Sequence, residues 1–187
     1  QMDARAHEIL GRGSILFHFW HKRFCEIAPL VEKVFGQMPD GARAEIGASV
    51  KIPVGKNAER VVRARADWVW DGGVLDIKTG SAPSESQLKE GNMPQLPLEA
   101  LMLKSGGFKI KTTKISQLPI MQFLQLKNND VRLIEYDAQT TQMMIDAAYN
   151  KTQELFQMYS AGGPEYENRP NSDQKYRNYD DLVRAYD

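Results

Sequence analysis

Three stretches of the chain repeat apolar residues every three or four positions, the spacing of one face of an α-helix. The first runs from Ser14 to Phe35 and the last from Thr140 to Tyr159. Between them, a shorter stretch runs from Gln95 to Lys104, with prolines only near its first turn, where a helix tolerates them. The pattern therefore predicts two long amphipathic helices and one short helix.

Five other runs have the residue types and lengths that are typical of β-strands. They are Glu45–Pro53, Arg60–Trp70, Gly73–Thr79, Ile115–Leu126 and Val131–Tyr136. The polar stretch Gly80–Gly91, with Pro83 and two glycines, predicts a loop. Strands that are preceded and followed by helices predict an α/β fold, with a mixed central sheet flanked by helices.

Composition narrows the class of protein further. The chain has 187 residues, enough for one domain, and 24 basic residues balance 24 acidic ones, so any attraction for nucleic acid must come from a local patch. The single cysteine, Cys25, excludes an internal disulfide and a cysteine-rich zinc or iron–sulfur site. No run reaches the roughly 18 apolar residues of a membrane span. We expect a soluble, cytoplasmic domain and, from its Gln1-Met2 start, a piece of a longer protein.

The dipeptide Asp71-Gly72 is a strong signal for a two-residue hairpin turn between the second and third strands. In that register Asp67 lies opposite Asp76, and Arg65 lies opposite Lys78. Side chains alternate along a strand, so one face of the hairpin is polar and the other apolar. The polar face comprises Arg63, Arg65, Asp67, Val69, Val74, Asp76 and Lys78. The apolar face comprises Val62, Ala64, Ala66, Trp68, Trp70, Leu75 and Ile77.

Two carboxylates that face each other across a strand pair repel, and a divalent cation between them relieves the repulsion. Oxygen ligands suit Mg²⁺ or Mn²⁺, and such an ion can activate water and neutralise charge on a phosphate. Lys78, on the same face, can orient or help to deprotonate the attacking water. Two structural alternatives stay open. The Asp76-Ile77-Lys78 run can be a solvated strand edge, and a three-residue turn would place Asp67 opposite Ile77.

Three segments carry a family resemblance. They are Ala66-Asp67-Trp68-Val69-Trp70, Leu75-Asp76-Ile77-Lys78-Thr79-Gly80 and Gln95-Leu96-Pro97-Leu98-Glu99-Ala100. They resemble the motifs of the RecB-like branch of the PD-(D/E)xK nucleases, and within it those of AddB-type C-terminal nuclease domains. Arg12-Gly13 and His18 resemble the first helix of this family. The family has Arg-Ile-Asp after the first aspartate and Tyr at the position of Glu99. The resemblance implies a PD-(D/E)xK core, with residues 1–187 as one nuclease domain. The polar composition of residues 164–187, rich in Tyr and Arg, predicts a tail packed on the surface of this domain.

The resemblance also assigns roles to individual residues. It implies catalytic roles for Asp67, Asp76, Lys78 and Gln95. The implied metal ligands are His18, Asp67, Asp76 and the carbonyl of Ile77. The residues expected to contact nucleic acid are Arg63, Arg65, Thr79 and Glu99. For His18 the alternative is a packed helix residue, and for Arg63 and Arg65 it is ion pairing with Asp67 and Glu45. The implied cofactor is Mg²⁺ or Mn²⁺, with no iron–sulfur cluster.

The activity implied by the resemblance is exonucleolytic hydrolysis of single-stranded DNA in double-strand break repair and homologous recombination. The implied partners are the DNA strand, an AddA-type helicase–nuclease subunit and the rest of the parent chain, with no membrane. A catalytically inactive nuclease-fold module with a structural or docking role is the alternative from another class. A restriction-like or phage nuclease of the same superfamily is a third option.

Overall fold

The computed structural model describes residues 15–110, 117–127 and 130–160, and within these ranges the side chains of residues 21–159. Its helices are α1 (Ile15–Phe35), α2 (Glu85–Lys89), α3 (Gln95–Lys104) and α4 (Ala138–Ser160). Its strands are β1 (Arg43–Val54), β2 (Ala58–Trp70), β3 (Gly73–Lys78), β4 (Ile120–Lys127) and β5 (Asp130–Glu135). The expected surface tail at residues 164–187 lies outside the described residues. Within the described ranges, no helix is long and apolar enough to cross a membrane.

The strands form one five-stranded mixed sheet in the order β1-β2-β3-β4-β5. Strands β3 and β4 are parallel, and every other neighbouring pair is antiparallel. Parallel neighbours need a long crossover, and the β3–β4 connection supplies it with α2 and α3. This connection brings α3 over β3, which is the packing that builds the site described below.

Apolar residues form two cores, one on each face of the sheet. The main core contains Val69, Val74 and Phe123 from the strands, packed with residues of α3 and α4. The minor core contains Trp70, Leu75 and Leu124, packed with the end of α1. There the rings of Phe35 and Trp68 lie with centroids 4.8 Å apart. The mixed α/β architecture with helices on both sides of the sheet is therefore as predicted.

The hairpin turn follows the predicted register for three pairs and then departs from it. Trp70 pairs with Gly73, so the loop is Asp71-Gly72, and Gly72 has the positive φ of 110° that glycine adopts easily. The ladder between β2 and β3 ends at Trp68 and Leu75. The predicted pairs Asp67–Asp76 and Arg65–Lys78 are therefore absent from the ladder, because β3 continues alongside β4 while β2 diverges.

The prediction of one apolar face along β2 is wrong. Ala66 packs in the main core, whereas Trp70 packs in the minor core on the other side of the sheet. The change falls at Asp67, where the β1–β2 register skips the Glu45–Asp67 pair. Glu45 has a φ of 57°, the left-handed region, and this irregularity breaks the strict alternation of side chains. Asp67 therefore lies at the point where β2 changes face.

Two further predictions are corrected by local chemistry. The predicted loop Gly80–Gly91 contains α2, which begins with a capping box in which Ser84 and Gln87 each bind the other's backbone N–H. The fourth strand begins at Ile120 rather than at Ile115. Residues 111–116 lie outside the described ranges, and Pro119, directly before the strand, has no N–H to give to a ladder.

Candidate active site

Strand β3 carries two charged side chains to the face that α3 covers. Asp76 is only 2% exposed, although it is an aspartate in the middle of a sheet. Lys78 is two residues further along and therefore points to the same side. Its Nζ lies 2.7 Å from Oδ2 of Asp76, and about a quarter of the Lys78 side chain stays exposed. The lysine thus connects a buried carboxylate with the surface.

Asp67 closes the gap where β2 and β3 diverge. Its Oδ2 accepts a hydrogen bond of 2.7 Å from the backbone N–H of Ile77. A β2 carbonyl would accept such a bond in a continuing ladder, so the side chain replaces a lost backbone partner. This bond brings the Asp67 carboxylate close enough to Asp76 for its charge to affect the Asp76 pKa.

Helix α3 supplies the two remaining members of the site. Gln95 and Glu99 are four residues apart, so both lie on the same face of the helix. Gln95 donates from Nε2 to Oδ1 of Asp76 at 2.9 Å and to Oε1 of Glu99 at 3.4 Å. Its Oε1 accepts from Nζ of Lys78 at 3.3 Å. We call Asp67, Asp76, Lys78, Gln95 and Glu99 the polar cluster.

Packing holds α3 in this orientation. Residues 96–100 are all buried, so the start of the helix contacts protein on every side. Leu96 and Ala100 belong to the main core. Pro97 lies in the first turn, where its missing N–H would have no partner within the helix. Because the helix cannot rotate without exposing apolar side chains, Gln95 and Glu99 keep their direction toward β3.

Burial raises the pKa of Asp76 above its usual value. The close contact and the charge of Lys78 oppose this shift, the neighbouring charge of Asp67 adds to it, and the hydrogen bond from Gln95 opposes it. The balance is typical of a carboxylate that is costly to ionise without a cation beside it. Lys78 supplies that positive charge in this arrangement.

Glu99 is the more strongly affected carboxyl group. It is fully buried, and burial raises its pKa from 4.5 to about 8. The hydrogen bond from Gln95 lowers this pKa, the charges of Asp76 and Asp67 raise it, and the charge of Lys78 lowers it. At neutral pH, Glu99 therefore carries a proton.

Two carboxyl oxygens of the polar cluster lack a hydrogen-bond donor among the described residues. They are Oδ2 of Asp76, whose close contact with Lys78 is not aligned as a hydrogen bond, and Oε2 of Glu99. Carboxyl oxygens grouped in this way suit a hard divalent cation such as Mg²⁺ or Mn²⁺, which would take the place that the Lys78 ammonium holds beside Oδ2 of Asp76. The donor set therefore fits the implied metal. Within the described ranges, no group of three or more His, Cys, Asp or Glu side chains forms a ready-made metal site.

The arginines, the threonine and the histidine expected at the site are either exposed or have side chains outside the described residues. Arg65 is exposed and pairs through Nε with Glu45 at 2.9 Å, which is the structural alternative considered for it. Arg63 and Thr79 are exposed. His18 lies within α1, but its side chain is outside the described residues.

Burial of Glu99 is the feature that sequence reasoning missed. Glu99 is fully buried, and its Oε1 accepts a hydrogen bond of 3.4 Å from Gln95, which also donates to Asp76. The four-residue spacing from Gln95 predicts that both side chains lie on one helix face, but it carries no information on how deeply Glu99 is buried. A small cavity of about 90 Å³ opens beside Lys78 and Gln95 and is lined mostly by apolar residues.

Comparisons with known proteins add little to this description. No family model matches the chain, and no curated protein does. A solved structure described as the crystal structure of SSO0001 aligns with 70% of this chain at 15% sequence identity, with a TM-score of 0.38. The alignment spans 56% of that protein's chain. A similarity this low assigns neither fold family nor function.

Proposed function

We propose that this chain is a Mg²⁺- or Mn²⁺-dependent deoxyribonuclease domain of the RecB-like PD-(D/E)xK branch, which hydrolyses phosphodiester bonds of single-stranded DNA. The observation that carries the proposal is the convergence of Asp67, Asp76 and Lys78 with Gln95 and Glu99. Carboxylates beside an amine, partly open to solvent, are the groups that metal-assisted phosphodiester hydrolysis requires.

The carboxylates are the groups that would hold the metal. Oδ2 of Asp76 has no aligned hydrogen bond, and the charge of Asp67 acts on the same carboxyl group. Glu99, which is protonated in the metal-free protein, would become a ligand on releasing its proton. The carbonyl of Ile77 and the side chain of His18 are the further ligands that the motif resemblance implies. When bound, the ion would supply an activated water and neutralise charge on the phosphate.

Lys78 is the group best placed to act on the substrate. Its amine reaches the carboxylates, yet its side chain is partly exposed, so it can meet a phosphate that arrives from solvent. A fixed positive charge there stabilises the negative charge that develops on the phosphate oxygens during attack. Gln95 positions the reacting groups, since it binds both Asp76 and Lys78.

The sequence motifs also support a biological setting for this activity. The AddB-like motifs support exonucleolytic degradation of one strand during double-strand break repair, with an AddA-type subunit as partner and the cytoplasm as compartment. A net charge of zero supports a domain that receives DNA from a neighbouring helicase instead of capturing it alone. DNA binding by this chain by itself is therefore expected to be weak and strongly salt-dependent.

A cleavage assay tests the proposal. End-labelled single-stranded DNA is incubated with wild type, Asp76→Asn and Lys78→Met, in Mg²⁺, in Mn²⁺ and in EDTA. We expect metal-dependent cleavage by wild type and a loss on the order of 100-fold or more in either variant. Asp71→Asn is the matched control, because Asp71 is an exposed aspartate in the same hairpin, outside the polar cluster.

The outcomes separate the two classes of function. Equal activity in all four proteins would place the chemistry elsewhere or in a contaminant. Absence of cleavage by folded wild type with both metals would refute the nuclease proposal and leave the inactive structural or docking module.

A further inference from the structure

A row of polar side chains continues from Lys78 across the sheet. Lys78 pairs in register with Gln125 of β4, and Gln125 pairs with Arg132 of β5. In the next row Lys127 pairs with Asp130. Residues in register lie side by side on one face, so these side chains share the face of the polar cluster.

Packing on the other side of the sheet supports this assignment of faces. Leu126 and Val131, which alternate with the polar residues, pack against the minor core. Phe123, one row before Gln125, lies in the main core beneath α3. The polar rows therefore begin where the apolar cover of the main core ends.

These side chains line an open cavity of about 290 Å³ beside β4 and β5. Two of them are fixed by the loop that follows Lys78. Gln125 donates from Nε2 to the carbonyl of Gly80 at 2.8 Å, and Lys127 donates from Nζ to Oγ of Ser81 at 3.2 Å. Arg132 binds Oδ2 of Asp130 through Nε at 2.7 Å. A guanidinium has further N–H donors beyond Nε that suit the oxygens of a phosphate.

We propose that Arg132 and Lys127 form a subsite for a backbone phosphate of the DNA strand, next to the phosphate that is cleaved. The proposal rests on the proposed nuclease function and names the path of the substrate away from Lys78. Arg132 lies two strands from Lys78, about 10 Å away at ordinary strand spacing, so the two cations meet different phosphates of one strand. The subsite is continuous with the polar cluster through Gln125, and its two cations outnumber the single carboxylate of Asp130.

Asp130 makes the proposal sharply testable. If Asp130 and Arg132 form only a surface ion pair, the role of Asp130 is to hold the Arg132 side chain in place. In a phosphate subsite it competes with the DNA for the guanidinium. Asp130→Asn is therefore expected to strengthen DNA binding, because it releases the guanidinium of Arg132 for the phosphate.

The chain offers a closely matched control. Lys51 pairs with Glu59 on the β1–β2 hairpin, with side-chain exposures of 69% and 55%. Arg132 and Asp130 have exposures of 71% and 55%. Strands β1 and β5 are the opposite edges of the sheet, so Lys51→Ala removes an equally exposed, paired cation far from the proposed path.

Two measurements are made on Arg132→Ala, Lys127→Ala, Asp130→Asn and Lys51→Ala. The first is the binding of a fluorescein-labelled oligothymidylate in EDTA, followed by anisotropy over a range of salt concentrations. We expect Arg132→Ala and Lys127→Ala each to weaken binding about five-fold and to reduce the slope of log K against log salt by up to about 0.7, the value for the one phosphate that the two cations share. The second is steady-state cleavage with Mg²⁺, in which KM is expected to rise while kcat changes by less than about two-fold.

Equal behaviour of Arg132→Ala and Lys51→Ala in the binding series would overturn the subsite, as would weaker binding by Asp130→Asn. The binding series contains no metal and needs no turnover. It therefore reports on the subsite even if wild type fails to cleave, which would refute the nuclease function separately.

Discussion

As pH rises from 6 to 8, wild type is expected to lose stability because of Glu99. The variant Glu99→Gln is expected not to show this loss. Glu99 is fully buried, and its pKa in the folded protein is about 8, against 4.5 for the ordinary side chain. Between these values the folded protein holds a proton that the unfolded chain has released. The stability from this group is thus complete below pH 4.5 and is lost as pH rises through about 8.

The size of the effect follows from the two pKa values. Each pH unit inside the window lowers the free energy of unfolding by up to about 1.4 kcal/mol. From pH 6 to pH 8 the loss attributable to Glu99 is about 2 kcal/mol, a substantial part of the stability of a typical domain. Glutamine has the same size, stays neutral at every pH and can accept the hydrogen bond that Glu99 receives from Gln95.

Urea denaturation in EDTA at pH 6, 7 and 8, followed by tryptophan fluorescence, measures this difference. Trp70 is buried in the minor core, so its fluorescence changes when unfolding exposes this core to solvent. Other groups with altered pKa values, such as Asp76, are present in both proteins and largely cancel when the variants are compared. Glu154→Gln is the control, because Glu154 is an exposed residue of α4. If Glu99→Gln keeps the same dependence on pH as wild type and Glu154→Gln, the reasoning about Glu99 is wrong.

The remaining predictions concern the metal and local packing. Saturating Mg²⁺ at pH 8 is expected to raise the midpoint of thermal unfolding of wild type but not of Asp76→Asn, and an equal rise in both would exclude Asp76 as a ligand. Gly91→Ala should lower the free energy of unfolding in urea by about 2 kcal/mol more than Gly55→Ala. Both glycines have positive φ, but only at Gly91 would a Cβ lie 2.7 Å from the carbonyl oxygen of Ala147, so equal losses would contradict this close approach. Ser84→Ala should cost about 1 kcal/mol through loss of the capping box, and an unchanged urea midpoint would show that the cap contributes nothing.

Local signals in the sequence were sufficient to predict the β2–β3 turn and the register of the first pairs of the hairpin. Asp71-Gly72 fixes the loop, and the three ladder pairs that follow have the predicted register. The end of the ladder at Trp68 could not be predicted in the same way. It depends on β4, a distant segment that pairs with β3, and on the irregular backbone of Glu45 opposite Asp67. The pairing of β3 with β4 is a tertiary contact, which local sequence does not encode. The irregular backbone at Glu45 occurs without a glycine, so the sequence contains no signal for it.

For the candidate site, the spacing of residues in the sequence predicted which way the side chains point but not how deeply they are buried. One intervening residue puts Asp76 and Lys78 on one side of a strand, and one helical turn puts Gln95 and Glu99 on one side of α3. How deeply each group is buried depends on how α3 packs against the sheet. The short helix α2 was missed for a different reason, since five residues are too few to show a helical period and only its capping box marks it.

Every member of the polar cluster belongs to a single continuous stretch of chain, from Asp67 on β2 to Glu99 on α3. Contacts between near neighbours in sequence close short loops, which cost little chain entropy and form quickly. We therefore expect the cluster to assemble as soon as α3 docks on β3, before β5 is added at the far edge of the sheet. Insertions in the turn between β1 and β2 should then alter the overall stability while leaving the geometry of the carboxylates and the lysine unchanged.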